Sequence, residues 1–170
     1  MISFNKIFKR SFDIFFALVG LIFFSPIIFL SFFIAAFETL SNGFFTQQRV
    51  GLNGHIFNVI KIKTMRSADG NNLTISSTND PRITKSGVFF RRTKIDELPQ
   101  LWNVLIGHMS FVGPRPDVLG YADRLQGKDR IILSVRPGIT GPAQLIFKNE
   151  EEVLAKQDDM VKYNNEVIWP

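Results

Sequence analysis

The chain has 170 residues, enough for one domain with a single hydrophobic core. It contains no cysteine, which excludes disulfides and thiol chemistry. Its net charge of +5 and pI near 9.7 suit an anionic partner: nucleic acid, anionic lipid headgroups or a phosphorylated substrate. Many of the 18 phenylalanines lie near the N-terminus. This apolar start favours lipid or a phosphorylated substrate, so we predict no nucleic-acid partner.

An apolar segment near the N-terminus predicts a membrane anchor. Ile14 to Phe37 contains no charged residue, and about 20 apolar residues suffice to span a bilayer. A signal peptide would have a shorter apolar core followed by a small-residue cleavage site. We therefore divide the chain into an anchor over residues 1–40 and a second region over residues 41–170.

Ser25 and Pro26 lie in the middle of this segment and predict a break in the membrane helix. Proline removes one helical hydrogen bond, and the freed carbonyl of Ile22 needs a partner in lipid. The Ser25 hydroxyl, bonding back to Leu21 or Ile22, would supply it. Two topologies stay open, a kinked spanning helix and a re-entrant helix. Basic residues flank both ends, which weakly favours two ends on the same side of the membrane.

The next segment predicts a β-hairpin. Two partly alternating runs between Phe44 and Lys63 flank the turn Gly51 to Gly54, which contains an Asn-Gly pair. Lys61 and Lys63 lie at the end of the second run. Either lysine would reach a substrate phosphate, or both are ordinary solvated strand residues.

The stretch from Arg91 to Pro116 contains the main candidate catalytic residues. The carboxylates Asp96 and Glu97 follow a basic run, and a helical apolar face follows them at Leu98, Leu101, Trp102, Leu105 and Ile106. This pattern predicts Asp96 as the N-cap and Gly107 as the end of that helix. A helix N-terminus favours an ionised carboxylate or a bound anion. The simpler alternative is a solvated cap beside a solvated basic patch.

Two turns downstream contain arginine. Arg115 lies between Pro114 and Pro116, and a rigid turn suits bidentate phosphate binding. Arg136 precedes Pro137-Gly138, where it either binds phosphate or braces the turn.

Two alternatives stay open for Val88-Phe89-Phe90, which either forms an apolar stripe at the membrane interface or packs in the core. Short helices are predicted over 117–125 and 149–162. The fold expected is therefore a mixed α+β membrane-associated protein, with an N-terminal membrane helix, a small hairpin and several short or amphipathic helices.

Several motifs in a fixed order resemble the bacterial sugar transferases, which are monotopic polyprenyl-phosphate phosphoglycosyl transferases. The resemblance extends from about Lys9 to Gln144. Its most specific segments are Asp96-Glu97-Leu98-Pro99-Gln100-Leu101, Met109-Ser110-Phe111-Val112-Gly113-Pro114-Arg115-Pro116 and Arg136-Pro137-Gly138-Ile139-Thr140-Gly141. The resemblance implies that Ser25-Pro26 makes the helix re-entrant. It also implies that 41–170 is a catalytic domain on the cytoplasmic face of the bacterial inner membrane.

The same resemblance implies an activity. Sugar-1-phosphate would pass from a UDP-sugar to a polyprenyl phosphate such as undecaprenyl phosphate, with release of UMP, as the first membrane step of polysaccharide or glycoconjugate biosynthesis. Asp96 would form a covalent aspartyl-phosphosugar, and Glu97 would hold Mg²⁺. The substrate phosphates would lie among basic side chains and the prolines beside one of them, namely Lys63, Arg91, Arg92, Pro114, Arg115, Pro116 and Arg136. A homodimer is a further expectation.

Some residues depart from the family pattern. His108 stands where many relatives have aspartate, and residues 146–150 differ from the usual ending, so the sugar stays open. The chain ends at Pro170, earlier than many relatives, and a further C-terminal helix is expected beyond it. Two other functions stay open: a non-catalytic adaptor that binds anionic lipid, and a metal-dependent hydrolase of lipid diphosphates.

Overall fold

A computed structural model describes residues 2–66, 80–146 and 160–163 of the chain. Most of the predicted helix over 149–162 lies outside this range. The helices are α1 (Ile2–Thr39), α2 (Lys85–Thr93), α3 (Gln100–Ile106), α4 (Pro142–Ile146) and α5 (Met160–Tyr163). The strands are β1 (Phe44–Val50), β2 (Ile56–Ile62), β3 (Ser110–Val112) and β4 (Gly138–Thr140). The mixed α+β class is confirmed.

α1 continues through Ser25 and Pro26 as one helix. The Ser25 hydroxyl donates to the Ile22 carbonyl at 2.9 Å, as the sequence predicted. This bond gives a partner to the carbonyl that proline leaves unpaired, so helical structure continues past Pro26. The re-entrant geometry that the resemblance implies stays a prediction. From Asn5 to Thr39 the helix is long and apolar enough to cross a membrane, and an 18-residue window within it has a mean hydropathy of 2.5.

One narrow face of α1 packs against the rest of the protein. Asp13, Ala17, Ser31 and Ala35 are buried on this face, whereas most of the phenylalanines around it are exposed. Ala17 joins a core formed by Phe57, Val59, Val104 and Met109. Ala35 joins a second core with Ile62 and Phe90. The anchor is therefore also part of the domain core.

β1 and β2 form the predicted antiparallel hairpin, with Phe44 opposite Ile62 and Val50 opposite Ile56. Asn53 and Gly54 in the connection have left-handed backbone angles, with φ of 57° and 84°. Asparagine and glycine tolerate this conformation better than other residues. The hairpin packs through Phe57 and Val59, which are buried.

α3 differs from the prediction in its start and in its buried face. It begins at Gln100, after a 3₁₀ turn over Ile95–Glu97, and Pro99 occupies the N-cap position that was predicted for Asp96. Trp102 is 49% exposed, whereas Asn103 is 1% exposed. The predicted apolar face was therefore wrong in part, because α3 turns a polar residue towards the hairpin.

Asn103 fastens α3 to the free edge of β2. Its Oδ1 accepts from the Ile60 backbone N–H at 3.1 Å, and its Nδ2 donates to the Asn58 carbonyl at 2.7 Å. The side chain thus takes the place of a neighbouring strand. Since Ile60 precedes Lys61, this contact also sets where Lys61 lies relative to the turn before α3.

We expect Asn103→Leu to destabilise the protein. It would leave a buried N–H and a buried carbonyl without partners, at a cost of about 1–3 kcal/mol for each group. Asn58→Leu is the matched control, since the Asn58 side chain is exposed and its carbonyl is retained. Thermal unfolding in nanodiscs measures both. Equal midpoints for the two variants would contradict the role of Asn103.

Candidate active site

Asp96 and Glu97 lie in the 3₁₀ turn between α2 and α3. Lys94 ends α2 in a left-handed conformation with φ of 59°, and this turns the chain back towards β2. Asp96 is only 8% exposed. Within residues 2–66, 80–146 and 160–163, its buried Oδ1 has no hydrogen-bond partner. An ionised carboxylate oxygen in such a position is disposed to receive a cation or to attack an electrophile.

Glu97 forms an ion pair with the strand facing it. The Lys61 ammonium donates to Glu97 Oε1 at 3.0 Å, and both side chains are partly buried. Lys61 continues the alternation of Phe57 and Val59 along β2. It therefore points to the inner face of the hairpin, under the turn.

The two carboxylates have different proton affinities. Burial raises the pKa of Asp96 to about 6, although the charge of Lys61 opposes the rise. At pH 7 the ionised form would still exceed the protonated form by about tenfold. Burial acts to raise the pKa of Glu97 as well, but the charge and hydrogen bond of Lys61, with the charges of Lys94 and Arg115, outweigh it and lower that pKa. Both groups are thus available as anions.

The two downstream motifs lie side by side. β3 and β4 pair in parallel, with Ser110 opposite Gly138 and Val112 opposite Thr140. The Gly138 N–H donates to the Pro114 carbonyl at 2.8 Å, and the Gly113 N–H donates to the Thr140 carbonyl at 3.0 Å. The second motif therefore supports the Pro114–Pro116 turn, and the charge of Arg115 acts on Glu97.

Arg49 joins this cluster, although the sequence did not identify it as a site residue. Its Nη1 donates to the Pro116 carbonyl at 3.1 Å. Burial lowers its pKa to about 10, the charge of Arg115 adds to this, and Glu97 acts in the opposite direction. Arg49 lies on β1 opposite Phe57, so its side chain is on the same face of the hairpin as that of Lys61 on β2. The alternation along each strand was the signal that would have indicated Arg49 and distinguished Lys61 from Lys63.

The other predicted phosphate ligands lie at different distances from the acid pair. Arg91 donates to Thr64 Oγ1 at 3.0 Å and its charge acts on Asp96. Arg92 is exposed on the last turn of α2. Lys63 donates to Ser41 Oγ at 2.8 Å, so that Lys61 is the lysine that contacts the acid pair.

Arg136 braces the end of α3. Its Nε donates to the Gly107 carbonyl at 2.8 Å, which favours the bracing alternative over direct phosphate contact. Arg10 of α1 adds bonds to the carbonyls of Val104 and Leu105 at 2.7 and 2.8 Å. Cations at a helix C-terminus interact favourably with its dipole. The predicted Gly107 cap is confirmed, with φ of 91°.

Asp13 connects α1 to the motif Met109–Pro116. Its carboxylate accepts from Ser110 Oγ at 2.9 Å and from Lys9 at 3.4 Å. Arg10, three residues before Asp13 on the same helix, is also spaced for an ion pair with it. Arg10 turns instead to the open carbonyls of α3, which lack helical partners.

Exposed apolar residues lie on the short helices as well. Val88 and Phe89 are each 56% exposed, whereas Phe90 is 4% exposed and packs in the core. Core packing is therefore confirmed for Phe90, whereas the membrane-interface alternative stays a prediction for Val88 and Phe89. Trp102 and Ile106 of α3 are also about half exposed.

The acid pair, Asp96 and Glu97, is a candidate site for a metal ion. The part of the chain that the structure describes contains no group of three or more His, Cys, Asp or Glu side chains that would hold a metal ion. Mg²⁺ is commonly bound by one or two carboxylates together with substrate phosphates. The unpartnered Asp96 Oδ1 and the adjacent Glu97 fit that arrangement.

The chain matches the model of the bacterial sugar transferase family over residues 4–168. It belongs to this family. It is 39% identical over 168 residues to a UDP-glucose:undecaprenyl-phosphate glucose-1-phosphate transferase of Klebsiella pneumoniae, covering 94% of this chain and 36% of the relative. The Escherichia coli protein of the same name is 36% identical over 170 residues, covering 96% and 36%.

A shorter relative is the exopolysaccharide production protein PSS of Rhizobium leguminosarum. It is 37% identical over 149 residues, which cover 83% of this chain and 74% of that protein. The chain therefore spans about a third of the length of the two glucose-1-phosphate transferases, and most of the length of the shorter protein.

We expect Gly138→Ala to separate the two downstream motifs. A Cβ at this position would lie 2.2 Å from the Gly113 nitrogen and 2.5 Å from the Thr140 carbonyl oxygen. Overpacking of this kind costs about 1–3 kcal/mol. The thermal unfolding midpoint should fall for this variant. Thr140→Val, an exposed change on the same strand, should leave it unchanged; a stable Gly138→Ala protein would refute the contact.

Proposed function

We propose that this chain transfers sugar-1-phosphate from a UDP-sugar to undecaprenyl phosphate and releases UMP. The observation that carries the proposal is the buried Asp96 with its unpartnered Oδ1, beside Glu97 and within the field of Lys61, Lys94 and Arg91. The names of the two glucose-1-phosphate transferases support this substrate class. The sugar itself stays open.

The proposed route has two displacements. Asp96 Oδ1 attacks the phosphorus that bears the sugar, a new O–P bond forms, and the bond to the bridging oxygen breaks so that UMP leaves with its electron pair. A phosphate oxygen of undecaprenyl phosphate then attacks the same phosphorus. The aspartyl O–P bond breaks, the Asp96 carboxylate is regenerated, and undecaprenyl diphosphate sugar is the product. A carboxylate is an established covalent nucleophile in phosphoryl chemistry.

Positive charge has to offset the repulsion between the carboxylate and the diphosphate. Lys61 and Arg115 lie beside Glu97, and Arg91 acts on Asp96. Glu97, with Asp96, would hold Mg²⁺, which neutralises phosphate charge when it is bound. Lys61 already forms an ion pair with Glu97, so we expect it to turn towards the phosphates when the metal is present.

We propose further that α1 is re-entrant and that the domain lies on the cytoplasmic face of the inner membrane. Polar contacts with the rest of the protein occur at both ends of the uncharged segment of α1, at Asp13 and at Glu38, which accepts from the Ser86 N–H at 3.2 Å. A helix that crossed the bilayer would carry one of these ends away from the domain. The exposed phenylalanines would then lie in one leaflet. Pairing of two copies stays a prediction.

Asp96→Asn should reduce UMP release to the no-enzyme background, because the amide is not a nucleophile. Glu97→Gln should raise the Mg²⁺ concentration needed for half-maximal activity. The assay uses protein in nanodiscs with a panel of UDP-sugars, Mg²⁺ and undecaprenyl phosphate. Asp129→Asn is the matched control, because Asp129 is exposed and lies in none of the contacts above.

The other functions give different results in the same assay. Normal activity in Asp96→Asn would remove the nucleophile. Release of UDP would indicate a glycosyl transferase, and phosphate release without acceptor would indicate a hydrolase. An adaptor that binds anionic lipid would be indifferent to both carboxylate variants.

Cysteine labelling tests the topology of α1. Because the chain contains no cysteine, each introduced thiol is the single labelling site. Asn5→Cys and Asn42→Cys place single thiols at exposed positions on either side of the apolar segment. A membrane-impermeant maleimide should label neither in intact spheroplasts and both after permeabilisation. Gln126→Cys, exposed in the domain, reports the cytoplasmic side. Labelling of Asn5→Cys alone in intact spheroplasts would mean that α1 spans the membrane.

A further inference from the structure

Arg49 and Lys61 lie on the same face of the hairpin. Arg49 is opposite Phe57, Gln47 is opposite Val59, and Phe45 is opposite Lys61. Residues that face each other across a ladder, and every second residue along a strand, share one face of the sheet. This is the face that contains the buried Phe57 and Val59. One strand thus directs a guanidinium, and the other an ammonium, towards the turn that contains Glu97.

Two hydrogen bonds hold the Arg49 guanidinium in place. Nη1 donates to the Pro116 carbonyl at 3.1 Å, and Nη2 donates to Gln47 Oε1 at 2.6 Å. The next residue adds a backbone bond, from the Val50 N–H to the Asp117 carbonyl at 2.9 Å. The end of β1 is therefore joined to both residues that follow Arg115. A guanidinium has five N–H groups, so these two bonds use only part of its donor capacity.

The surroundings of Arg49 favour an anion. Arg115 is close enough for the two positive charges to oppose each other, whereas the charges of Asp117 and Glu97 act in the opposite direction. Phosphate oxygens accept paired N–H bonds from guanidinium groups, and such bonds are about twice as strong as neutral ones. A diphosphate between the two arginines would turn their repulsion into binding.

We propose that Arg49 is a substrate-binding residue, which holds the diphosphate of the UDP-sugar together with Arg115 and Lys61. This inference rests on the proposed function. It places the diphosphate at the end of β1, between the Pro114–Pro116 turn and Glu97. Arg49 also positions Arg115 through the Pro116 carbonyl, so its side chain has two effects that an experiment must separate.

The test measures the affinity of nanodisc-held protein for UDP, which retains the diphosphate whatever the sugar. Isothermal titration in the presence of Mg²⁺ should show that Arg49→Gln binds UDP at least about tenfold more weakly than the unmodified protein, the effect of losing one charge-assisted hydrogen bond. Arg49→Lys retains the charge and should recover part of the affinity. Arg124→Gln, which removes an exposed arginine outside the cluster, should bind UDP like the unmodified protein.

Thermal unfolding and kinetics separate binding from support of the turn. If Arg49 contacts the diphosphate, Arg49→Gln raises the KM for the UDP-sugar and leaves the KM for undecaprenyl phosphate within about twofold. A purely structural role would instead lower the unfolding midpoint and raise both KM values, with no recovery in Arg49→Lys. That result would overturn the inference.

The outcomes also distinguish this inference from the proposed function. UDP binding that is equal in Arg49→Gln and the unmodified protein overturns the role of Arg49 and leaves the proposed function intact. An unmodified protein that binds no UDP and releases no UMP overturns both.

Discussion

The packing of α1 against α3 and the hairpin is the contact on which the rest of the structure depends. Most of α1 is too apolar for water, yet one face must lie against a charged domain. Small residues make this possible, since Ala17 is fully buried and a Cβ on Gly20 would lie 3.1 Å from Leu101. Asp13 and Arg10 add polar contacts to β3 and to the end of α3. The helix α1 therefore fixes the elements that flank the acid pair.

Burial and neighbouring charge determine the pKa values of the two carboxylates, Asp96 and Glu97. Asp96 loses water without gaining a hydrogen-bond partner at Oδ1 in the part of the chain that the structure describes. Its proton affinity rises as a result. Glu97, one residue along, has an ion pair with Lys61 and a lowered pKa. Adjacent carboxylates thus differ because the 3₁₀ turn directs one into a nearly closed site and the other towards a cation.

The sequence predicted the hairpin, the Gly107 cap and the Ser25 bond correctly because each depends on local chemistry: an Asn-Gly turn, a left-handed glycine and a hydroxyl near a proline. It failed at α3. Periodicity assumes that the apolar face is the buried one. Here the buried face includes Asn103, because an open strand edge needs hydrogen-bond partners, and Trp102 remains exposed. Arg49 was missed, and Lys61 was not separated from Lys63, for a related reason: alternation was visible, but the direction of the hairpin face was not.

The sequence alone determined the class of this protein. Specific motifs around the acid pair and the two arginine turns, in a fixed order, were enough to indicate the bacterial sugar transferase family, and the family model confirms this. The tertiary structure decided which cations meet the acid pair. It put Lys61 on Glu97, Lys63 on Ser41 and Arg136 on the end of α3. These contacts join residues far apart in the chain, and they depend on how the hairpin packs under α3, which no local pattern records.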